Sequence, residues 1–256
     1  MRVVSMVPSW TETLIAAGVD VVGRTKFCIH PAARVADVPV VGGTKKINWD
    51  KLRALDADLL LLDKEENPRE MAEQSPIAVY ASHVRSIDDV APELAALSGR
   101  LDARPTAPTA LVDLAERWRR VCVRPAERSP RALHELPGVL EWVERPGPHV
   151  DRLVYLIWRD PWMAVGPRTF IGSMLARLGF GAAHVTQNEK YPVVDLGAFD
   201  AARTLLCFSS EPYPFARYPE VMRQPGFGGA ALVDGEVFSW FGVRALEFLE
   251  RSIGDA

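Results

Sequence analysis

Aromatic and charged side chains follow many of the segments that the sequence predicts to be β-strands. They are Trp10, Lys64, Glu65, Glu66, Trp158, Arg159, Trp162, Glu211, Tyr213, Phe215 and Trp240. Aromatic rings supply a large contact area at a low cost in conformational entropy, and a few charged groups orient a bound molecule. The set therefore predicts a site for a bulky planar or chelated small molecule. Any single ring is equally compatible with capping the edge of a sheet.

Cys28 and His30, in the segment KFCIHP, are a second candidate for chemistry. On an extended stretch, residues two apart face the same side, and thiolate and imidazole are both zinc ligands. Two ligands do not complete a metal site, so a direct metal-ion binder and an ordinary loop cysteine and histidine both stay open. A cysteine nucleophile has no local signature here. Cys207 lies within a predicted apolar strand, where a thiol is usually inert.

Acid–base chemistry in a cleft is the enzymatic alternative. Glu65 or Glu211 would act as a general base while Arg159 or Lys64 stabilised an anion, as in a hydrolase. No spacing of a nucleophile and a base in the sequence supports this alternative. The glycine-rich segment GGTK at 42–45 lacks the GxxxxGK[ST] and GxGxxG patterns, so we expect a turn that carries a lysine and no nucleotide-binding loop.

Length and composition restrict the class of protein. The chain has 256 residues, of which 48% are hydrophobic, enough for one large domain or two lobes. A formal net charge of -3 gives no basic stripe for nucleic acid, and the longest apolar runs are too short to span a membrane. Three widely spaced cysteines do not make a disulfide framework. No secretory signal is visible, so a cytoplasmic protein or a trimmed chain is expected.

The segment 2–18 predicts how the first candidate residues are positioned. It begins with β-branched and apolar residues that predict a strand, which Pro8 ends, and Ser9 followed by Glu12 has the spacing of a capping box. A strand that runs directly into a helix places the turn at the carboxyl edge of a sheet, where open α/β folds bind ligands. Pro8, Ser9 and Trp10 are therefore the first candidates for the site.

The second half of the chain repeats the outline of the first. A strand is predicted at 152–157, and Thr169 is the expected N-cap of the helix after it, as Asn48 is in the first half. A further helix is predicted at 196–202, ahead of a strand that empties into polar residues. The repeated pattern of strands and helices predicts two similar α/β lobes.

The region between the two halves has a different character. An apolar stripe predicts a connecting helix at 109–122, which would span roughly 20 Å, and 123–151 is expected to be an irregular insertion with one helical turn near 133–142. We expect an α/β fold of two Rossmann-like lobes with mainly parallel sheets, joined by this bridging helix, with a ligand cleft between the lobes. The expected boundaries are 1–100, 101–151 and 152–256.

Seven segments together resemble one protein family. They are VVSMVPSWTETL, VGRTKFCIHP, VGGTKKIN, LLLLDKEEN, IWRDPWMAVG, SSEPYPF and DGEVFSWFG. Through nearly the whole chain, the sequence resembles the helical-backbone (class III) substrate-binding proteins of ABC importers, the group with cobalamin- and siderophore-binding members. The resemblance implies two α/β lobes bridged by a rigid helix. It also implies a ligand of the cobalamin, haem or ferric siderophore class, held in the cleft for uptake or salvage.

A set of binding residues follows from the pattern and the resemblance together. The candidate ligand-binding residues are Pro8, Ser9, Trp10, Phe27, Lys45, Lys64, Glu65, Glu66, Trp158, Arg159, Trp162, Glu211, Tyr213, Phe215 and Trp240, with Cys28 and His30 as candidate metal ligands. We expect a monomer that is not an enzyme and requires no cofactor, with a corrinoid, haem or ferric chelate as its ligand.

The resemblance also implies a partner and a location. The acidic cluster of Glu65, Glu66, Glu70 and Glu73 is most simply a solvated loop and helix face, but it would also suit a docking ABC permease with a basic surface. The family works in the periplasm or outside the cytoplasmic membrane, whereas the missing signal keeps a cytoplasmic location open.

Overall fold

The computed structural model describes residues 1–101, 107–123, 131–186 and 189–254. Backbone contacts divide the chain into two units. The N-terminal unit comprises Met1–Val123 and Trp240–Glu247, and the C-terminal unit comprises Arg124–Ser239 and Phe248–Ala256. Within the described ranges, no helix combines the length and the apolar character that crossing a bilayer requires.

A six-stranded sheet forms the centre of the N-terminal unit. Its strands are β1 (Arg2–Ser5), β2 (Asp20–Thr25), β3 (Val40–Gly43), β4 (Lys46–Ile47), β5 (Leu59–Asp63) and β6 (Ala78–Ser82), in the order β4-β3-β2-β1-β5-β6. Every neighbouring pair is parallel except β3 and β4. The carboxyl ends of β2, β1, β5 and β6 therefore share one edge of the sheet.

Among the residues that the structure describes, several helices surround this sheet. They are α1 (Pro8–Ala16), α2 (Ala32–Val35), α3 (Trp49–Arg53), α4 (Arg69–Glu73), α5 (Ile87–Arg100) and α6 (Ala107–Val123). One face of the sheet buries Leu60 and Leu62 against Leu52 of α3 and Met71 of α4. Fully burying a leucine side chain stabilises the fold by about 1.5–3 kcal/mol, so this cluster holds the short helices on the sheet.

The helix expected at 109–122 is present as α6. It packs against α5, and its Trp118 is fully buried, with the indole Nε1 donating to the carbonyl of Gly242 at 3.2 Å. All of these contacts lie inside the N-terminal unit. The role of α6 as a rigid tie, like the expected domain boundaries, stays a prediction.

A five-stranded sheet forms the centre of the C-terminal unit. Its strands are β7 (Val139–Glu144), β8 (Arg152–Trp158), β9 (Met163–Ala164), β10 (Thr204–Ser209) and β11 (Gly229–Val233), in the order β7-β11-β10-β8-β9. The central strands β8, β10 and β11 are parallel, and the two outer strands are antiparallel to their neighbours. The helices that follow β9 are α7 (Phe170–Arg177), α8 (Pro219–Met222), α9 (Gly235–Ser239) and α10 (Val243–Ile253).

The expected fold class of two α/β lobes with mainly parallel sheets is confirmed. Two local expectations in the C-terminal half are wrong. The single helical turn expected near 133–142 is present as the 3-10 turn Leu133–Glu135, but residues 139–144 form β7, where irregular structure was expected. Part of the expected insertion, 124–130, lies outside the described residues. An edge strand keeps one face in solvent, so the charges of β7 hid its strand character.

The expectation of a helix at 196–202 is also wrong. The segment forms two 3-10 turns, Leu196–Ala198 and Ala201–Arg203. The carboxylate of Asp195 accepts from the backbone N–H of Gly197 at 2.9 Å. Short polar side chains that bond the nearby backbone in this way compete with a regular helix.

Two of the three expected helix caps are confirmed. Asn48 caps α3 by accepting from the N–H of Lys51, and Thr169 caps α7 by accepting from the N–H of Gly172, each at 3.0 Å. The capping box of Ser9 and Glu12 is wrong. Helix α1 already begins at Pro8, a favoured first helical residue, so Ser9 lies inside the helix.

Candidate ligand-binding site

The carboxyl edge of the N-terminal sheet exposes an aromatic ring and three lysines. Phe27 follows β2 and is 48% exposed, with the ammonium of Lys26 4.9 Å from its ring centroid. Lys64 follows β5 and is exposed, and Lys45, in the turn between β3 and β4, donates from its Nζ to the carbonyl of Glu66. Pro8 lies half-buried after β1. These residues combine an apolar contact with positive charge.

Trp10 does not share this exposure, and the expectation that its ring faces a ligand is corrected. The side chain is fully buried. Its Nε1 donates to Ser82 Oγ at 2.7 Å, and its ring packs edge-on against Phe241 at a centroid distance of 5.2 Å. Ser9 is also buried. Both belong to the first turn of α1, which packs on the sheet, so they support the edge from inside.

Asp63, at the end of β5, is a polar residue that the sequence reasoning missed. It is fully buried, and its carboxylate accepts from Ser82 Oγ at 2.7 Å and from the backbone N–H groups of Glu65 and Val84 at 2.9 and 3.2 Å. Burial raises the pKa of Asp63 above its ordinary value, against the lowering effect of these donors. The hydrogen bonds from Trp10 to Ser82 and from Ser82 to Asp63 connect α1 to the ends of β5 and β6. The signal in the sequence for this residue was an acidic side chain directly after the all-apolar run at 59–62.

Glu65 and His83 lie side by side at the same edge. His83 Nε2 is 3.1 Å from Glu65 Oε1, and the backbone N–H of His83 donates to Glu93 Oε1 at 2.9 Å. Tyr80 donates its hydroxyl to the same Glu93 carboxylate, and burial raises the pKa of Tyr80. Glu65 and Glu66 are thus engaged by neighbours within the unit, Glu66 through its backbone carbonyl.

Cys28 and His30 do not form the expected metal-ligand pair. Cys28 is fully buried, and its Sγ accepts from the hydroxyl of Thr11 at 3.0 Å and lies 3.1 Å from the hydroxyl oxygen of Thr25. Burial raises the pKa of this thiol, which is hydrogen-bonded to threonine hydroxyls within the unit. His30 packs edge-on against Trp240 at 5.5 Å. Within the part of the chain that the structure describes, no three His, Cys, Asp or Glu side chains are grouped to hold an ion.

Trp240 is largely buried too, which corrects its expected role as a ligand contact. The guanidinium of Arg244 lies 5.4 Å from its ring centroid, and the same guanidinium forms a two-pronged ion pair with Glu12 at 2.7 and 2.8 Å. The ion pair of Glu12 and Arg244 therefore joins α1 to α10 inside the N-terminal unit, and Trp240 packs on the same guanidinium. Glu12 serves this ion pair and not the expected capping box.

The carboxyl edge of the C-terminal sheet presents an exposed tryptophan. Trp158, the last residue of β8, is 41% exposed and meets the half-buried ring of Tyr213 edge-on, with centroids 5.5 Å apart. Arg159 follows it, and its guanidinium lies 6.0 Å from the Trp162 ring centroid. Trp158, Tyr213 and Arg159 thus offer aromatic surface beside a cation, as the sequence predicts.

Phe215 and Trp162 lie deeper in the same unit. Phe215 is fully buried in the core cluster, where it stacks on Trp162 at 6.2 Å and meets Phe208 at 5.1 Å. The expectation that Phe215 contacts a ligand is therefore corrected. Trp162 is half-buried and packs on this core. These two rings support Tyr213, which lies 4.5 Å from Phe215.

Glu211 is held in place by both ends of α9. Its Oε1 accepts from Ser239 Oγ at 2.8 Å. The backbone at Gly235 approaches so closely that an added Cβ would lie 2.5 Å from Ser209 Oγ and 2.7 Å from Glu211 Cγ. Only glycine fits there, so α9 can pack directly against the loop that carries Glu211. This close approach fixes the loop after β10.

The arrangement has the fold of the class III periplasmic substrate-binding proteins, so the family resemblance is confirmed at the level of the fold. No protein-family model matches the sequence, and no curated protein matches it. Solved structures match over almost the full chain. The vitamin B12-binding protein BtuF of Vibrio cholerae is 17% identical with a TM-score of 0.69, and the match covers 98% of this chain and 94% of that chain.

Two haem-binding proteins have the same architecture. A periplasmic haem-binding protein from Pseudomonas aeruginosa is 20% identical with a TM-score of 0.71, covering 98% of this chain and 90% of that one. The periplasmic haem-binding protein BhuT, solved with two haems, is 21% identical with a TM-score of 0.73, covering 97% and 94%. At these sequence identities, the structural likeness is evidence for the fold alone.

Proposed function

We propose that this chain is a solute-binding protein that holds a metal-chelate or corrinoid-type small molecule, of the cobalamin, haem or ferric siderophore class, for ABC-type uptake or salvage. The observation that carries the proposal is the exposed ring of Trp158 on Tyr213, beside Arg159, at the carboxyl edge of a parallel sheet. Flat ligands gain contact area on such rings, and carboxyl edges are where open α/β sheets bind ligands. The fold shared with B12- and haem-binding proteins supports the same conclusion.

The N-terminal unit, taken by itself, also has an edge whose chemistry suits such a ligand. Phe27, Lys45 and Lys64 line it, while the buried Trp10–Ser82–Asp63 chain supports it from within. Positive charge beside an exposed ring suits a ligand with an apolar body and anionic groups. The ligand is the only cargo that the proposal requires, and no resident cofactor is needed.

The partner and setting follow from the same proposal. An ABC permease would dock on the acidic surface that includes the exposed Glu70 of α4 and its neighbour Glu73, with the binding protein acting as a monomer. The solved structures with this fold include periplasmic proteins, which supports an extracytoplasmic location.

The two alternatives are less well supported. An enzyme using Glu65 or Glu211 as a base would need those carboxylates to face a substrate, but Glu65 contacts His83 and Glu211 accepts from Ser239. A direct metal-ion binder would need the Cys28 thiolate, which burial disfavours. The named structural neighbours are binding proteins, which is consistent with a non-enzymatic role.

Visible-absorption titration tests the proposal. Purified protein is titrated with haem, cyanocobalamin and a ferric hydroxamate, each followed by its own absorption band. We expect one of the three to bind, and Trp158→Ala to weaken that binding by about 1–3 kcal/mol, the usual cost of truncating an aromatic anchor. Trp142→Ala is the matched control, since Trp142 lies on the outer strand β7, paired with Ala231 in the middle of β11. Binding of none of the three, or equal losses in both variants, would contradict the proposal.

A further inference from the structure

A cavity of about 370 Å³ opens beside the carboxyl end of β5, between the sheet and α4. Its walls are mainly apolar and come from Leu62, Pro68, Ala72 and Ala81. The volume is at the lower end of the range for small-molecule pockets. A short aliphatic group would fit against these walls, because small alanine side chains leave the space between strand and helix unfilled.

Two cations border this cavity. Arg69 is paired with Glu73 through Nε and Oε1 at 2.7 Å, an exposed ion pair of little energetic weight. Lys64 is exposed, and its ammonium forms no hydrogen bond or ion pair with any residue in the described ranges. An apolar pocket with an unpaired ammonium at its rim is complementary to a molecule that is apolar at one end and anionic at the other.

Asp63 also borders the cavity without placing its negative charge there. Side chains alternate between the two faces of a strand, and Leu62 and Ala81 pack in the cluster beneath α4. The carboxylate of Asp63 instead bonds Ser82, whose hydroxyl contacts Trp10 of α1 on the other face. The carboxylate of Asp63, which would repel an anion, therefore lies on the opposite face of the sheet from the cavity.

We propose that this cavity binds an aliphatic carboxylate, with the chain against Leu62, Ala72 and Ala81 and the carboxylate on Lys64. The same chemistry has two sources, a free short-chain carboxylic acid or a carboxylate arm of the chelate cargo. The second source rests on the proposed function, because it requires the cargo to lie at this edge of the sheet, and the first does not.

Hexanoate is the probe for the cavity itself. We expect it to shift the backbone amide NMR signals of Ala72 and Ala81 in the full-length protein, and Lys64→Met, which keeps the aliphatic stem, to weaken its binding about tenfold. Lys46→Met is the control, since Lys46 is an exposed lysine on β4 that does not line the cavity. Equal affinities in the two variants would overturn the role of Lys64. Ala72→Leu, which fills the cavity, should abolish binding even where Lys64→Met disturbs folding.

Haem and its dimethyl ester separate the two sources. If the cargo supplies the carboxylate, haem should bind about tenfold more tightly than the ester, and Lys64→Met should erase that preference. Hexanoate binding with equal affinities for haem and ester identifies the free acid as the occupant. Binding of neither chelate excludes a haem carboxylate as the occupant, while the hexanoate result still decides whether the cavity takes an aliphatic carboxylate. Failure of hexanoate to bind, together with equal chelate affinities, overturns the inference and leaves the proposed function in place.

Discussion

The tryptophans at the two sheet edges differ in solvent exposure. Trp10, at the N-terminal sheet, is fully buried and bonded to Ser82, whereas Trp158, at the C-terminal sheet, is 41% exposed. Both follow an apolar strand in the sequence. The difference is that Trp10 belongs to the first turn of α1, which packs directly on the sheet, while Trp158 ends β8 ahead of a turn into β9. The same local sequence pattern therefore yields a buried tryptophan in one unit and an exposed tryptophan in the other.

The largest effect should come from removing the buried member of this pair. Trp10→Ala is expected to lower the free energy of unfolding by about 3–5 kcal/mol, because it leaves a large cavity among Phe241 and Ser82. Urea unfolding followed by circular dichroism measures the loss. A cost below about 1 kcal/mol would mean that the ring is not a core residue, and the contrast with Trp158 would disappear.

The polar chain behind Trp10 should contribute the next largest effect. Ser82→Ala removes the hydroxyl that accepts from Trp10 and donates to Asp63, and unsatisfied buried groups cost about 1–3 kcal/mol. A double-mutant cycle with Trp10→Phe, which keeps an aromatic ring but lacks the N–H donor, measures the coupling. Strictly additive losses in urea unfolding would show that the two residues do not act together.

The units also differ in how their buried titratable groups respond to acid. His184 of the C-terminal unit bonds the carbonyl of Val165 through Nε2 at 2.8 Å, and burial lowers the pKa of His184 below its ordinary value of 6.5. The unfolded chain then binds more protons between these two values, so stability falls as pH drops below 6.5, by at most about 1.4 kcal/mol per pH unit.

His184→Gln keeps a side-chain donor and removes the titration, so its unfolding free energy should depend less on pH below 6.5 than that of the wild type. Asp63 of the N-terminal unit changes stability with pH in the opposite direction. Its raised pKa contributes stability that is present at acid pH and lost as pH rises through the folded value, so it cannot cause a loss on acidification. Parallel pH profiles for wild type and variant would rule out this role of His184.

The smallest change in stability is expected at the exposed tryptophan. Trp158→Ala loses one edge-on contact with Tyr213 and should cost at most about 1 kcal/mol of unfolding free energy. Thermal melting of the variant, beside Trp10→Ala, checks this directly. A loss as large as that of Trp10→Ala would make Trp158 a structural residue and remove the central support for the binding proposal.

Local sequence patterns predicted the regular elements well where the causes were local. The all-apolar run of β5 and the caps at Asn48 and Thr169 depend on residues within a few positions of each other. The strand β7 was missed because it is stabilised by pairing with β11, about ninety residues further along the chain, and its own charges are tolerated only at a sheet edge. Pattern reading detects side-chain periodicity and cannot detect a distant partner.

The sequence by itself determined the class of fold, the strand ends at which the candidate residues lie, and their aromatic and charged character. Only the tertiary structure decided which of those residues are available to a ligand. Trp10 packs against Phe241 from the other end of the chain, Cys28 contacts Thr11 and Thr25, and Phe215 and Trp240 pack against the nearer residues Phe208 and Arg244. Exposure depends on what packs against a side chain, and a strand-end position alone leaves that open.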